Sequence, residues 1–217
     1  WLRVNDFAAH RGWISSQVSR KIIHIGTGPL FILCWLLFPN TSASRYIASL
    51  VPLAITLQFI LVGIGVIKDD AAVQAMSRSG DPREILRGPM FYGVIFVICT
   101  ILFWYDSPIG IVALMQMCGG DGLADILGRR YGKTQIPWNR QKTWVGSFGM
   151  FLGGFLLSFL ILATYVGIGI FSSPLLTLLP AVLLISIAAT LVETIPLRDV
   201  DNITVALTAV VLGFFLF

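Results

Sequence analysis

Charge is scarce in this sequence. Of 217 residues only 15 are Lys or Arg and 11 are Asp or Glu, while 56% are hydrophobic. No soluble core needs that much apolar surface, so soluble globular and disordered classes are excluded and an integral membrane protein with several spans remains. Cysteine is also sparse. Cys34, Cys99 and Cys118 lie in apolar runs without CxxC spacing, which excludes a disulfide framework or thiolate metal site and reads them as small core residues. Histidine is scarcer still, and neither an HExxH motif nor a candidate Ser-His-Asp order is present. GxxxxGK[ST] is missing as well, so a Walker A loop is excluded. The net charge of +4 comes without basic residues interleaved with base-stacking aromatics on a soluble surface, which excludes nucleic acid as a partner. Anionic headgroups or nucleotide phosphates suit those cations better. Residues 1–21 are mixed polar sequence with no leading Met and no signal-peptide apolar core, as in a trimmed or processed chain.

What is present is a series of seven apolar segments, at residues 22–38, 46–67, 88–105, 109–127, 144–168, 174–192 and 202–217. Each is near the length of a bilayer-spanning helix, the fourth and seventh being marginal. The expected fold is therefore all-α, a polytopic integral membrane bundle of about seven transmembrane helices forming one domain over residues 1–217. If the chain alternates from an inside amino terminus, fourteen of the fifteen Lys and Arg fall inside, and only Arg45 falls outside. That asymmetry sets the orientation. Ten of the eleven acids also fall inside, with Asp106 the exception. Polar chemistry is thus expected on the cytoplasmic face, or the stromal face in a plastid. Mid-span segments nearly free of polar groups argue against a transporter, which would line a path through the midplane.

The chain is organised around Gly119-Gly120-Asp121-Gly122-Leu123-Ala124-Asp125-Ile126-Leu127-Gly128-Arg129-Arg130-Tyr131-Gly132-Lys133. Read as a helix after a Gly119-Gly120 break, it stacks Asp121, Asp125 and Arg129 on one face. In a soluble helix this would be an ordinary solvated end. Here an apolar run leads straight into Asp121, at a depth where ionisable groups are costly and usually functional.

Four inside clusters can meet on this face. Arg20, Lys21 and His24 enter the first span, with His24 four residues after Arg20; this suits anion binding or proton handling, although a lone His at a span end is often only interfacial. The loop 68–87 balances its charges and reads as solvated and partly helical, but Arg87, beside Gly88-Pro89, sits at headgroup level within reach of a phosphate. The basic loop from Lys133 through Arg140 and Lys142 leads into a helix start, a geometry that offers N–H groups and cations to an anion. Positive-inside topology alone would also account for it. Last come Glu193, at the end of the sixth span, and Asp201-Asn202, which have the residue types of a helix cap.

Carboxylates, Asn, Lys and Arg on one face describe metal-assisted chemistry on phosphate. Mg²⁺ takes a few carboxylates together with phosphate oxygens, and cations neutralise the transferring group. On this reading Asp121 and Asp125 hold metal or, in one case, act as base. Arg129, Arg130, Lys133 and Lys142 clamp phosphates, helped by Arg20, Lys21, His24 and Arg87. Glu193, Asp201 and Asn202 complete the metal or acceptor site. The acceptor has to arrive from the bilayer, so a lipid with a polar head is expected.

These residues resemble the phytol kinase and dolichol kinase family of membrane polyprenol kinases. The resemblance rests on Arg20-Lys21-Ile22-Ile23-His24-Ile25-Gly26, Leu86-Arg87-Gly88-Pro89-Met90-Phe91-Tyr92, Gly120 to Lys133, Lys142-Thr143-Trp144-Val145-Gly146-Ser147, and Glu193 with Asp201-Asn202-Ile203-Thr204-Val205. It implies phosphorylation of a free prenyl alcohol, with CTP as usual donor and Mg²⁺ as cofactor. The short chain and the Leu86-to-Tyr92 piece look more like phytol kinases, and Ala206 departs from the proline expected there. CDP-diacylglycerol synthases share the block from Asp121 to Gly146 but carry a Gly-Gly-x-x-Asp-Arg-x-Asp ending absent here. A transporter or scaffold whose loops bind headgroups is the non-enzymatic alternative.

Overall fold

The computed structural model describes residues 11, 13, 16–77, 79–196 and 200–217, without the side chains of residues 16–20, Ala75 and Asp201. Arg20 and Asp201 are therefore placed by backbone alone. Helix α1 spans Ser16–Trp35, α2 Ser42–Gly63, α3 Asp70–Met76, α4 Gly88–Phe103, α5 Ile109–Met115, α6 Asp121–Tyr131, α7 Trp144–Gly167, α8 Leu175–Glu193 and α9 Asp201–Leu216. Among the described residues five stretches are long and apolar enough to cross a membrane: Ser42–Gly63, Pro82–Phe103, Ile109–Tyr131, Trp144–Gly167 and Leu175–Glu193. Two shorter apolar helices, Lys21–Trp35 and Asn202–Leu216, bring the bundle to the seven expected segments.

The fourth span departs most from the sequence expectation. Gly119-Gly120 does not break it, because α5 passes through a π-helical turn, Gln116–Gly120, directly into α6. A π-turn widens the helix by one residue and is often found at functional sites. This span, far from marginal, is the most deeply enclosed of the five, and Ile111 to Met115, Met117 and Cys118 sit at the centre of the apolar core.

Glycine brings α6 and α7 together. A Cβ at Gly149 would lie 2.9 Å from the Leu123 carbonyl oxygen, and one at Gly120 2.6 Å from the Met150 sulfur. Without side chains at these positions the two backbones approach closely, which is how helices associate where lipid supplies no hydrophobic drive. Buried Gln116 adds interhelical hydrogen bonds, donating to Ser186 Oγ of α8 at 2.7 Å and to Ser158 Oγ of α7 at 3.4 Å. A small polar knot thus lies mid-span.

At the opposite end α1 stops inside protein, where the last carbonyls of a helix need partners. Tyr165 donates to the Ile32 carbonyl at 2.7 Å, and Tyr105 donates to that of Trp35. Trp104, fully buried and at the left-handed φ of 36°, packs against Trp35 with the rings tilted by 34° and their centroids 4.9 Å apart. Arg45 and Asp106, the two charges assigned to the outside, pair at this end. Cys99 and Cys118 are buried as expected, but Cys34 faces outward, so it is not a core residue.

Two other expectations need correction. The basic loop after α6 is a short antiparallel hairpin, β1 Gln135–Ile136 and β2 Asn139–Thr143. Asp201-Asn202 does not cap the last span; Val200 occupies the cap position and α9 begins at Asp201. The loop 68–87 is partly helical, as expected, with Asp69 capping α3 and Asp81 capping a 3₁₀ turn, Pro82–Leu86.

Candidate active site

Helix α6 carries its acids toward α1. Lys21 of α1 donates to Asp121 Oδ2 at 2.8 Å and lies 3.9 Å from Asp125 Oδ2, so one ammonium serves both carboxylates. His24 Nε2 is 3.4 Å from Asp121 Oδ2. Arg129 Nε donates to Asp125 Oδ1 at 2.7 Å, the i,i+4 pair expected from the spacing. The contact between helices is possible because Gly122 presents no side chain to Ile25 of α1. Asp121 and Asp125 retain 23% and 24% of their side-chain exposure, so this is a recessed site and not a sealed one.

Tyr92 of α4 fixes the histidine from behind. Its ring packs on His24 with centroids 4.5 Å apart, and its hydroxyl lies 3.2 Å from the His24 carbonyl and 3.0 Å from Cys118 Sγ. Three spans thereby set the position of one imidazole. Tyr92 was legible only as part of the family-like Leu86-to-Tyr92 stretch; nothing in its spacing pointed to His24.

A second pair is assembled by the hairpin. Lys142 of β2 donates to Glu193, the final residue of α8, and Glu193 keeps only 3% exposure. The hairpin is anchored to the same helix end: Asn139 Nδ2 donates to the Thr194 carbonyl at 3.1 Å and Trp138 Nε1 to Thr194 Oγ1 at 3.2 Å. Thr143 then caps α7 by accepting from the Gly146 N–H at 3.1 Å, a contact that fixes where the helix starts. Lys142 also acts electrostatically on Asp121, so the two pairs belong to one charged surface. Asn139, Trp138 and Thr194 were not singled out in the sequence. Their signal, an aromatic and an amide after Pro137 and a Thr at the end of α8, is too general to find them.

The remaining candidates are more peripheral. Arg87, Arg129, Arg130 and Lys133 are exposed, and Arg130 lies over the Tyr131 ring, 5.4 Å from its centroid. Asn202 is half-buried in the first turn of α9. Arg20 and Asp201 have side chains outside the described residues, so their contacts are not described.

Among the described residues no group of three His, Cys, Asp or Glu side chains forms a metal cage. Mg²⁺ commonly takes one or two carboxylates and completes its shell with substrate phosphates and water. The Asp121–Asp125 pair offers hard oxygen donors of this kind, with Lys21 and Arg129 beside them.

The fold is thus an integral membrane helical bundle with a recessed, mixed-charge site at one end. The chain is 40% identical over 218 residues to the "Probable phytol kinase, chloroplastic" of Zea mays, covering 100% of this chain and 72% of the maize protein. It is 38% identical over 209 residues to "Phytol kinase 1, chloroplastic" of Arabidopsis thaliana, covering 95% and 69%. A third relative, "Farnesol kinase, chloroplastic" of the same plant, is 40% identical over 209 residues, covering 95% and 68%. The chain belongs to the phytol kinase family. No protein-family profile matches it, and no solved structure does.

Proposed function

We propose that this chain, acting as one membrane-embedded domain, is a CTP-dependent kinase that phosphorylates the terminal hydroxyl of phytol or a related prenol. The observation that carries the reading is the pair Asp121 and Asp125, held together by Lys21 with Arg129 beside Asp125. Relatives across nearly the whole chain are named for phytol and farnesol, and a site at the end of a bundle suits an acceptor whose tail stays in the bilayer.

Asp121 and Asp125 would hold Mg²⁺, which supplies charge neutralisation at the donor's outer phosphates. Lys142, Arg129, Arg130, Lys133 and Arg87 would supply cations to the triphosphate, and Lys21 and His24 border the carboxylates. The prenol oxygen forms its bond to the γ-phosphorus as the bond to the β–γ bridging oxygen breaks. CDP departs, and the hydroxyl proton passes to a site carboxylate. Glu193, through Lys142, holds the hairpin's cation in position. Apolar hollows along α9, one of about 430 Å³ between Leu102, Phe103, Phe214 and Phe217 and one of about 320 Å³ beside Leu207 and Val211, offer lipid-facing surface for an isoprenoid tail. The charged face is cytoplasmic, or stromal where the host membrane belongs to a plastid.

The test supplies purified protein with phytol, phosphatidic acid and Mg²⁺, in parallel with γ-labelled CTP, α-labelled CTP and γ-labelled ATP. Gamma label from CTP entering a phytol product is expected. Gamma label from ATP alone would replace the donor, and α label entering lipid would replace phosphoryl by cytidylyl transfer.

A further inference from the structure

We propose that Lys21 is a displaceable counter-ion that keeps free divalent cations off the Asp121–Asp125 pair, so that the metal binds only together with its nucleotide. This rests on the reading of Asp121 and Asp125 as the Mg²⁺ ligands. Lys21 Nζ lies 2.8 Å from Asp121 Oδ2 and 3.9 Å from Asp125 Oδ2, and Arg129 Nε lies 2.7 Å from Asp125 Oδ1. Two carboxylates are therefore balanced by two cations before any ligand arrives. Lys21 is also only 16% exposed, so its ammonium is held in the site instead of ranging through solvent.

A bare divalent cation approaching this arrangement meets an ammonium where it needs an oxygen and gains no net attraction from the cluster as a whole. It would have to displace Lys21, which both carboxylates hold in the site. A metal–nucleotide complex differs in both respects. Its own phosphates are anionic, and they provide the acceptors to which Lys21 turns when it leaves the carboxylates. The lysine stem is long and unbranched, and its ammonium can rotate its three donors from carboxylate to phosphate without backbone movement. In the exchange the two carboxylates give up the one ammonium they share for the metal, and that ammonium gains a phosphate in their place. Without nucleotide, the same lysine guards the site against unproductive metal.

The test uses the full chain in nanodiscs and Mn²⁺ alone, with free Mn²⁺ followed by electron paramagnetic resonance. The wild type is expected to bind Mn²⁺ weakly, and Lys21→Met to bind it roughly tenfold more tightly or better once the competing charge is gone. Lys21→Arg should remain weak, because the charge is kept. Lys21→Met combined with Asp121→Asn should lose the gained affinity, which places the new site at Asp121. Lys21→Gln replaces Lys21→Met if the latter does not fold, judged by near-ultraviolet circular dichroism. Wild type and a folded Lys21→Met or Lys21→Gln variant binding Mn²⁺ equally well would overturn the proposal. Adding CTP to the wild type should then create Mn²⁺ binding. Exclusion of free Mn²⁺ without any binding of Mn·CTP would instead leave the role of Lys21 standing and overturn the nucleotide reading of the site.

Discussion

Replacing Lys142 by Met is the most informative structural perturbation, because it removes the cation from Glu193, a carboxylate with 3% exposure at the end of α8. Breaking a buried ion pair from one side costs about 3–5 kcal/mol when the remaining charge is fully stranded. Glu193 has an escape, which is to take a proton. From an ordinary glutamate value near 4.3, protonation at pH 7 costs about 3.7 kcal/mol, and this sets a ceiling. The thiol-free, unbranched Met side chain preserves most of the lysine stem's packing, so the expected loss is about 2–4 kcal/mol. For a chain of this size that corresponds to a fall in unfolding temperature of roughly 5–15 °C, read by intrinsic tryptophan fluorescence in detergent. Trp138 is a convenient reporter, since it is anchored to Thr194 beside the lost pair. Adding Glu193→Gln to Lys142→Met should recover most of that stability without recovering turnover. A Lys142→Met protein melting within about 2 °C of the wild type would refute the reasoning that buried Glu193 depends on the Lys142 ammonium for its charge.

Further outcomes follow from the same geometry. Gly149→Leu should weaken the α6–α7 contact by about 1–3 kcal/mol or more, because its Cβ would stand 2.9 Å from the Leu123 carbonyl oxygen; thermal unfolding checks it, and an unchanged melting temperature would show that the helices are not in close contact. Gln116→Leu removes the hydrogen bonds to Ser186 and Ser158 and should cost only about 0.6–1.7 kcal/mol, the range for interhelical bonds in membranes; guanidinium-free thermal melts at matched detergent would show the small shift. Tyr92→Phe keeps the ring against His24 but deletes the hydroxyl at the His24 carbonyl and Cys118. Turnover should fall by less than about tenfold, with stability lowered by about 1 kcal/mol; loss as large as that of a carboxylate would mean that the hydroxyl itself enters the chemistry.

The bundle was legible because composition and segment length speak directly to a bilayer, and seven apolar stretches can form little else. Arg45 and Asp106 illustrate how far charge counting reaches: set apart from every other charge by topology alone, they meet in a pair at one end. The i,i+4 relation of Asp125 and Arg129 was likewise a local property of the helix. What the sequence did not disclose depended on partners far along the chain. Lys21 is 100 residues from Asp121, and no periodicity says that α1 lies against α6. Gly119-Gly120 was misjudged as a break because glycine lowers helix propensity, whereas here tertiary packing against α7 favours its missing side chains. The hairpin was read as a plain basic loop, since its two strands are only 2 and 5 residues long and its order comes from Asn139 and Trp138 gripping Thr194.

The central claim is that Asp121 lies at the reacting phosphates, and it is tested most directly by the rate of γ-phosphoryl transfer from CTP to phytol in Asp121→Asn. The amide is isosteric and Ala124 and Gly122 keep their packing, so the protein should insert and melt as a folded bundle while transfer falls by roughly a thousandfold or more, the scale expected when a charge-neutralising ligand is lost from a phosphoryl-transfer site. A folded Asp121→Asn protein transferring phosphate at the wild-type rate would contradict the account.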